Sequence, residues 1–502
     1  MTERKTPLDL DPEEFAEAGH RLVDEIAELL ASMRTRPVAP NVTPEVVRNA
    51  LDAGRSLPEE GTNTTELMGE ALRTLVPHST FNGHPRFFGY ITGAPAPSGM
   101  LADFLASALN PNMGAWALSP MASEIEAQAV RWVAELVGFP EGGDGIFVSG
   151  GNVANMLGFW AARVAKAGWD VRRGGMRAEE GGPLRAYVPH GTHTWIEKAA
   201  DLSGMGTDSV RWVDTDGDGR IDLAALVERI EADRVAGDRP FLVVGTGGSV
   251  STGVVDPLPR LREVADRYGL WFHVDGAYGA FAAAAPNAPD DLRGLALADS
   301  VALDPHKWMY TPAEAGCTLV RDPQALLRAF SYRPEYYHFD ENGAHNYFER
   351  GIQNTRGFRA LKVWVQLRQA GAAAYRDMIG EDIDLARAFY GLADQHEELE
   401  ALTQGLSITT YRYVPVDLRD RRADPEVRDY LNVLNQDVQE RMERSGRAFV
   451  SHALVDGAHA LRMCIVNFRT GPEDIRALAD LSVELGREAD RALRSRLPDP
   501  SG

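Results

Sequence analysis

A lysine in an apolar segment is the first residue of this chain that could do covalent chemistry. Lys307 lies in SVALDPHKWMY (300–310), where most of its neighbours are apolar or aromatic. Such surroundings desolvate a lysine, which favours the neutral amine that can attack a carbonyl group. The alternative is a surface lysine whose ammonium group stays in water, which is the commoner state of lysine side chains.

An aspartate at the end of an apolar strand is the second such residue. Asp275 ends the β-rich run WFHVD and opens DGAYGA. The carboxyl ends of strands in an α/β sheet face the ligand crevice, so this carboxylate could pair with a protonated ring nitrogen. An aspartate that only caps the next helix explains the same residue equally well.

A turn of small residues could bind a phosphate group. Ser149-Gly150-Gly151-Asn152 follows the strand-like run GIFV and precedes a helical run. Backbone N–H groups and the helix dipole attract anions at a helix N-terminus. Alone the signal is weak, because such turns often serve only packing.

The order of these segments is more specific than any one of them. The turn is followed by His193 in HGTHTWIEKAA, Thr246 in VGTGGS, Asp275 in HVDGAYGA and Lys307 in DPHKW. In this the chain resembles the group II pyridoxal-phosphate (PLP)-dependent amino-acid decarboxylases, the family of the aromatic-L-amino-acid, histidine and glutamate decarboxylases. Their motifs HVDAAYGG and DPHKW stand here as HVDGAYGA and DPHKW.

Two further segments carry the same resemblance. They are PRFFGYITGAPAPSGMLADFLASALNPNMGAWALSPMASEIE (85–126) and GIQNTRGFRALKVW (351–364). The likeness extends from about residue 10 to about residue 475. It therefore covers most of the chain rather than one motif.

The resemblance implies a role for each motif residue. Lys307 would bind the cofactor covalently, and Asp275 would keep the pyridine nitrogen protonated so that the ring acts as an electron sink. His193 would stack on one ring face and Ala277 would lie against the other. The remaining implied cofactor contacts are Thr246 near the ring substituents, Ser149, Gly151, Asn152 and His306 around the phosphate, and Thr355 from a neighbouring subunit.

The chain departs from the family pattern at two places. The usual Ser-Glu-Ala after the glycine pair is Asn152-Val153-Ala154, and the usual Gly-Thr-Thr is Gly248-Ser249-Val250. Both changes keep the strand–turn–helix context, so they affect the expected phosphate contacts rather than the cofactor.

A Tyr-, Gly- and His-rich segment, RPEYYHFDENGAHNYF (333–348), is typical of a mobile lid. It is similar to the catalytic loop of the family, and Tyr336 falls where family decarboxylases carry the tyrosine that protonates Cα. Members that make aldehydes commonly have phenylalanine there, so Tyr336 favours simple decarboxylation. A one-residue shift would give this role to Tyr337, and a tyrosine that only packs is the alternative.

Aromatic and apolar residues of the 85–126 segment suit an aromatic substrate. Phe87 and Phe88 lie there, as do three predicted substrate contacts, Tyr90, Ile91 and Trp116. The segment holds no Arg or Lys besides Arg86, so a second substrate carboxylate has no evident partner. The resemblance places Thr355 where related enzymes distinguish phenols from indoles.

The elements that must position these residues alternate between short β-rich runs and longer helical ones after residue 85. This alternation predicts an α/β fold with a mostly parallel sheet covered by helices. The resemblance implies the aspartate aminotransferase type, fold type I, with seven strands. We expect a helical arm at 1–84, a large PLP-binding domain at 85–375 and a small α+β domain at 376–502. The apolar face of the arm and the shared Thr355 predict a homodimer.

Composition narrows the class of protein. The net charge of -21 argues against nucleic acid or anionic lipid as a partner, and no apolar run is long enough to span a membrane. Two distant cysteines predict no disulfide framework and suit a cytoplasmic enzyme. DTDGDGRID (214–222) resembles a calcium loop, but Ala225 stands at its twelfth position, so no metal is predicted.

These expectations define one main function and three alternatives. The main prediction is PLP-dependent decarboxylation of an L-amino acid, favoured to be aromatic, to its amine and CO2. The alternatives are oxidative decarboxylation–deamination to an aldehyde, a PLP-dependent elimination, and a catalytically silent PLP-binding protein.

Overall fold

The computed structural model describes residues 6–176, 182–333 and 343–497. Its strands are β1 (Phe87–Phe88), β2 (Asp144–Val148), β3 (Leu184–Pro189), β4 (Val210–Val213), β5 (Arg239–Thr246), β6 (Trp271–Asp275), β7 (Ser300–Leu303), β8 (Gly316–Val320), β9 (Leu399–Gly405), β10 (Ile408–Tyr413), β11 (Phe449–Val455) and β12 (Ala458–Cys464).

Helices connect and cover these strands. They are α1 (Pro12–Ser32), α2 (Pro44–Ala50), α3 (Thr64–Leu75), α4 (Pro97–Leu109), α5 (Pro120–Leu136), α6 (Gly151–Lys166), α7 (Val171–Gly174), α8 (Trp195–Leu202), α9 (Leu223–Val235), α10 (Leu258–Tyr268), α11 (Pro305–Trp308), α12 (Ala325–Phe330), α13 (Arg359–Gln395), α14 (Pro425–Ser445) and α15 (Pro472–Leu493). Within α13, the positive φ of Gly371 interrupts the helical backbone.

The larger sheet has seven strands in the order β2-β8-β7-β6-β5-β3-β4. The strand pairs β4–β3, β3–β5, β5–β6 and β6–β7 are parallel. The two pairs that involve β8 are antiparallel. Its central strands are mostly apolar, as in the FLVVG of β5, because helices cover both faces. The predicted α/β fold with a mostly parallel seven-stranded sheet is confirmed.

The carboxyl ends of the sheet's strands carry the motif residues. Thr246 ends β5 and Asp275 ends β6, and the two are paired across the strands. Asp304 and α11 follow β7, and Ser149 follows β2. Parallel strands end at one edge of a sheet, so these four segments meet there.

A second sheet has five strands in the order β1-β11-β12-β10-β9, packed against α14 and α15. Strand β1 pairs in parallel with Phe449 and Val450 of β11, although it lies near the start of the predicted large domain. Helix α13 crosses the predicted boundary at residue 375. The three-part division of the chain therefore stays a prediction.

The first three helices precede both sheets and leave apolar side chains in solvent. Phe15 and Val23 of α1, Val46 of α2 and Leu75 of α3 are all exposed. Among the described residues, no helix combines the length and the apolar character needed to cross a bilayer.

Candidate active site

A cavity of about 400 Å³ opens at the carboxyl ends of the large sheet. Nine of the ten predicted cofactor residues line it: Ser149, Gly151, Asn152, His193, Thr246, Asp275, Ala277, His306 and Lys307. The sequence segments that carry them lie up to 158 residues apart and meet only through the fold. The tenth residue, Thr355, is not part of this lining.

Lys307 lies on the short helix α11, directly after β7. Its Nζ is 3.0 Å from Asp304 Oδ2, and its side chain is 21% exposed. The aromatic neighbours Trp308 and Tyr310 turn away into the core, where both donate hydrogen bonds to Asp382. The apolar surroundings expected from the sequence are therefore on the core side of α11, whereas the lysine amine faces an acidic group.

The backbone of Lys307 is closely packed. A Cβ atom added to Gly93 would lie 2.1 Å from the carbonyl oxygen of Lys307. Only glycine fits there, which brings the 90–93 segment directly against the lysine. This contact joins the predicted substrate segment to the predicted cofactor residue.

The Asp275 carboxylate accepts three hydrogen bonds. Oδ1 accepts from Asn155 Nδ2 at 3.1 Å and from the Ala277 backbone N–H at 3.2 Å. Oδ2 accepts from Trp195 Nε1 at 2.7 Å. Donors of this kind stabilise a carboxylate in its charged form, as a partner of a cationic ring nitrogen requires.

His193 follows β3 and precedes α8 at the wall of the cavity. Burial lowers the pKa of its imidazole, and Lys307 lowers it further, whereas Asp275 acts in the opposite direction. The ring is therefore neutral near pH 7. A neutral imidazole can lie flat against an aromatic ligand without opposing its charge.

The turn at 149–152 connects β2 to the N-terminus of α6. A Cβ atom on Gly151 would lie 2.6 Å from Asp304 Oδ2 and 3.0 Å from Ala277 Cβ, so a side chain would not fit there. The side-chain oxygen of Asn152 is buried and has no partner among the described residues. His306 Nδ1 lies 2.7 Å from the Ala315 carbonyl oxygen, to which it donates, and this orients its ring.

The two departures from the family pattern both reach the cavity. Asn152, Val153, Ser249 and Val250 are all part of the lining. The hydroxyl of Ser249 lies 2.8 Å from Thr252 Oγ1 and accepts from the backbone of the same turn. Ser249 therefore holds its own turn together.

The predicted substrate residues do not join this lining. Tyr90 is 61% exposed, with its ring packed on Phe449. Ile91 and Trp116 are half-buried, and Trp116 Nε1 donates to Glu124 at 2.8 Å. Thr355 is exposed. Tyr336, with its alternative Tyr337 and most of the predicted lid, lies outside the described residues.

Sequence reasoning missed several residues of the site, among them three whose side chains contact Asp275 or Lys307: Asn155, Trp195 and Asp304. Asn155 follows Asn152 by one helical turn, and Asp304 is the first residue of DPHKW, so both stood beside recognised residues. Trp195 follows His193 by two positions, but nothing in its segment indicates a hydrogen bond to Asp275. Within the described ranges, no group of three or more metal-binding side chains comes together.

Comparison with known proteins finds pyridoxal-dependent decarboxylases, the family that the sequence motifs resemble. The pyridoxal-dependent decarboxylase conserved domain matches residues 44–413. The chain is 32% identical to an aromatic-L-amino-acid decarboxylase of Bacillus atrophaeus over 94% of this chain and 97% of the relative. It is 29% identical to a phenylacetaldehyde synthase of a Rosa hybrid cultivar over 91% and 90% of the two chains. The structure of Oryza sativa TDC with PLP and tryptamine superposes with a TM-score of 0.88 at 27% identity, covering 97% of this chain and 99% of that one.

Proposed function

The chain belongs to the pyridoxal-dependent decarboxylase family, and we propose that it converts an aromatic L-amino acid to the corresponding amine and CO2. It is a PLP-dependent carboxy-lyase that acts on an amino acid. The observation that carries the proposal is the meeting of Lys307, Asp275 and the 149–152 turn in one cavity. The aromatic character of the substrate rests on the relatives, which include aromatic-L-amino-acid, tyrosine and tryptophan decarboxylases.

The donor set of the cavity fits pyridoxal phosphate. Lys307 offers an amine for the aldehyde, and Asp275 offers a carboxylate for the ring nitrogen. The N-terminus of α6 offers backbone N–H groups to the phosphate. Asn152 can add its amide NH2, because its buried side-chain oxygen has no partner among the described residues that would fix the orientation of the amide.

Each residue has a defined task in the proposed reaction. When bound, PLP supplies an electron sink for the electron pair released as CO2 leaves Cα. Asp275 holds a proton at the ring nitrogen, and His193 orients the ring and excludes water from its face. Asp304 is positioned to hold the proton that Lys307 Nζ gives up when it acts as a nucleophile.

We infer that the working unit is a homodimer in which the substrate side of the cavity is completed by a second copy. Helix α4 packs one face on α13 and leaves Leu101, Phe104, Leu105 and Leu109 exposed. An apolar stripe of this size on a helix is typical of an interface. Thr355 is exposed, so it is available to a neighbouring chain. The buried free thiols of Cys317 and Cys464 suit the proposed cytoplasmic location.

The second candidate function is oxidative conversion of the same substrate to an aldehyde. Its support is the similarity to a phenylacetaldehyde synthase. The predicted proton donor, Tyr336, favours the first reaction over the second, because protonation of Cα leads to the amine rather than to the aldehyde. An elimination or a silent PLP-binding protein has no such support.

A product assay tests the proposed function. PLP-loaded protein is incubated with a panel of L-amino acids while CO2, amine, aldehyde and peroxide are measured together. Equal amounts of amine and CO2 from an aromatic substrate are expected. Aldehyde with peroxide would establish the second candidate, and activity only on acidic amino acids would refute an aromatic substrate.

A pair of tyrosine variants tests the source of the proton. Tyr336→Phe is expected to lower amine formation by about 10²-fold or more, because it removes a positioned general acid, and to release aldehyde instead. Tyr337→Phe is the matched control and is expected to keep the amine as product. The reverse result would assign the role to Tyr337.

A further inference from the structure

We propose that Trp271, Ser300, His273 and Asn155 form a one-directional chain of hydrogen bonds that ends on Asp275 and sets the charge and orientation of that carboxylate. This series of hydrogen bonds makes the four side chains positioning residues for the ring nitrogen of the cofactor. The inference rests on the proposed role of Asp275. It adds Asn155, which lines the cavity, and three residues behind it, none of which was recognised from the sequence.

The four contacts of this chain are short and continuous. Trp271 Nε1 donates to Ser300 Oγ at 2.8 Å, and Ser300 Oγ lies 2.7 Å from His273 Nδ1. His273 Nε2 lies 2.8 Å from Asn155 Oδ1, and Asn155 Nδ2 donates to Asp275 Oδ1 at 3.1 Å. All four side chains are at least nine-tenths buried.

The chemistry of the two ends fixes the direction of every bond. The indole of Trp271 can only donate, and the ionised carboxylate of Asp275 can only accept. Asn155 must therefore turn its NH2 group to Asp275 and its oxygen to His273, which makes His273 Nε2 a donor. A neutral imidazole that donates from Nε2 can only accept at Nδ1, so Ser300, which accepts from Trp271, gives its own proton to His273 Nδ1.

This arrangement requires a neutral His273 protonated on Nε2. Full burial lowers the pKa of His273 to about 4, although Asp275 raises it. The imidazole is therefore neutral near pH 7, and the network selects one of its two tautomers. A cationic ring would have a proton on Nδ1, which would break the contact with Ser300 as described.

Two strands and one helix hold the chain in place. His273 of β6 and Ser300 of β7 are paired across the sheet, and Asn155 lies on α6 above them. A Cβ atom on Gly158 would lie 2.7 Å from His273 Nδ1, so only glycine at this position of α6 leaves room for the imidazole. The ring of Trp195 packs edge-on against His273 at 5.6 Å.

The consequence concerns the free acceptor position of Asp275. Oδ1 already accepts from Asn155 and from the Ala277 backbone, whereas Oδ2 accepts only from Trp195. Each carboxylate oxygen has about two acceptor positions, so Oδ2 has one to spare. The aligned dipoles also stabilise the negative charge that a protonated ring nitrogen needs as its partner.

The test uses holoenzyme reconstituted with PLP labelled on its ring nitrogen, whose magnetic resonance reports protonation. In Asn155→Ala and His273→Phe the resonance is expected to move towards the unprotonated position. The kcat is expected to fall about tenfold in Asn155→Ala, because a hydrogen bond to a charged group is lost, and by less in His273→Phe, which removes the donor that orients Asn155. His273→Gln, which can still donate to Asn155, is expected to restore part of both values.

Thr318→Val is the matched control. Thr318 is fully buried and donates to the Ala154 carbonyl of the same helix, but it lies outside the chain. Its loss removes one buried hydrogen bond and is expected to leave the ring-nitrogen resonance unchanged. If Asn155→Ala or His273→Phe does not fold, Ser300→Ala gives the same test from the distal end of the chain.

Two results separate the inference from the proposed function. An unchanged resonance in the folded variants, with or without loss of activity, would overturn the inference that these hydrogen bonds act on the ring nitrogen through Asp275. An unchanged resonance in Asp275→Ala would instead overturn the role of Asp275. The resonance does not depend on the substrate, so an error in the proposed reaction would leave it readable.

Discussion

The cofactor side and the substrate side of the candidate site differ in how complete they are within one chain. On the cofactor side, nine predicted residues line one cavity, and Asp275 has three hydrogen-bond donors. On the substrate side, Tyr90 and Thr355 are exposed, and helix α4 leaves a row of apolar side chains in solvent. The difference teaches that one chain brings the predicted cofactor residues into one cavity, whereas we infer that two chains build the substrate side.

The largest expected effect lies on the cofactor side. Lys307→Ala removes the only amine that lines the cavity among the described residues, so amine formation is expected to fall by at least about 10³-fold. The visible absorbance of lysine-bound PLP is expected to disappear with it. Lys362→Ala is the matched control, because Lys362 is also buried and acid-paired but contacts Asp103 on α4. Activity that survives in Lys307→Ala would refute the proposed role of Lys307 as the residue that binds PLP.

The second prediction concerns the buried His273 behind the cofactor side. Its pKa is about 4 in the folded chain, below the ordinary value of 6.5. As the pH falls, the unfolded state therefore binds a proton on His273 before the folded state does. The free energy of unfolding is unaffected by this group above pH 6.5 and decreases as the pH falls from 6.5 towards 4. The loss is about 3 kcal/mol over that window.

Denaturant unfolding at pH 6.5 and at pH 4.5 measures this contribution. His273→Phe is expected to show a weaker decline in unfolding free energy than the unmodified chain over the same interval. An equal decline in both proteins would mean that other groups cause the acid sensitivity.

The third prediction tests whether the exposed row on α4 is an interface. Leu105→Glu places a charge in that row and is expected to raise the dimer dissociation constant about 30-fold, as for the loss of a central interface residue. The mass measured by light scattering is expected to fall towards that of one chain, while PLP absorbance is retained. Leu454→Glu is the control, because Leu454 is 70% exposed on β11 of the small sheet.

The outcome decides the comparison directly. Loss of activity together with loss of the dimer supports a substrate side built by two chains. A fully active single chain would show that the substrate side is complete in one chain, and the difference between the two sides would vanish.

The smallest effect is expected at Thr355. Thr355→Val keeps the shape of the side chain but removes its hydroxyl, so a hydrogen bond worth about 1 kcal/mol is lost, which corresponds to about fivefold. If Thr355 contacts the phosphate, the dissociation constant of PLP rises. If it contacts a phenolic substrate, the KM for tyrosine rises and the KM for tryptophan does not. No change in any of these values would remove Thr355 from the site.

The sequence by itself determined the fold class and which residues meet at the centre of the candidate site. Strand–turn–helix alternation predicted the parallel sheet, and motif order predicted that Ser149, Thr246, Asp275 and Lys307 meet. This worked because parallel strands must end at one edge, so residues at strand ends come together whatever the details of packing. The apolar strand segments, such as the FLVVG of β5, also follow directly from burial on both faces.

Only the tertiary structure decided which side chains support that site. The pairing of β1 with β11, about 360 residues away, has no signal in a two-residue strand. The contacts of Asp275 with Asn155 and Trp195, and of Lys307 with Asp304, depend on side-chain direction rather than on spacing. Such contacts arise when separate elements pack against one another, and local periodicity records only which face of each element is buried.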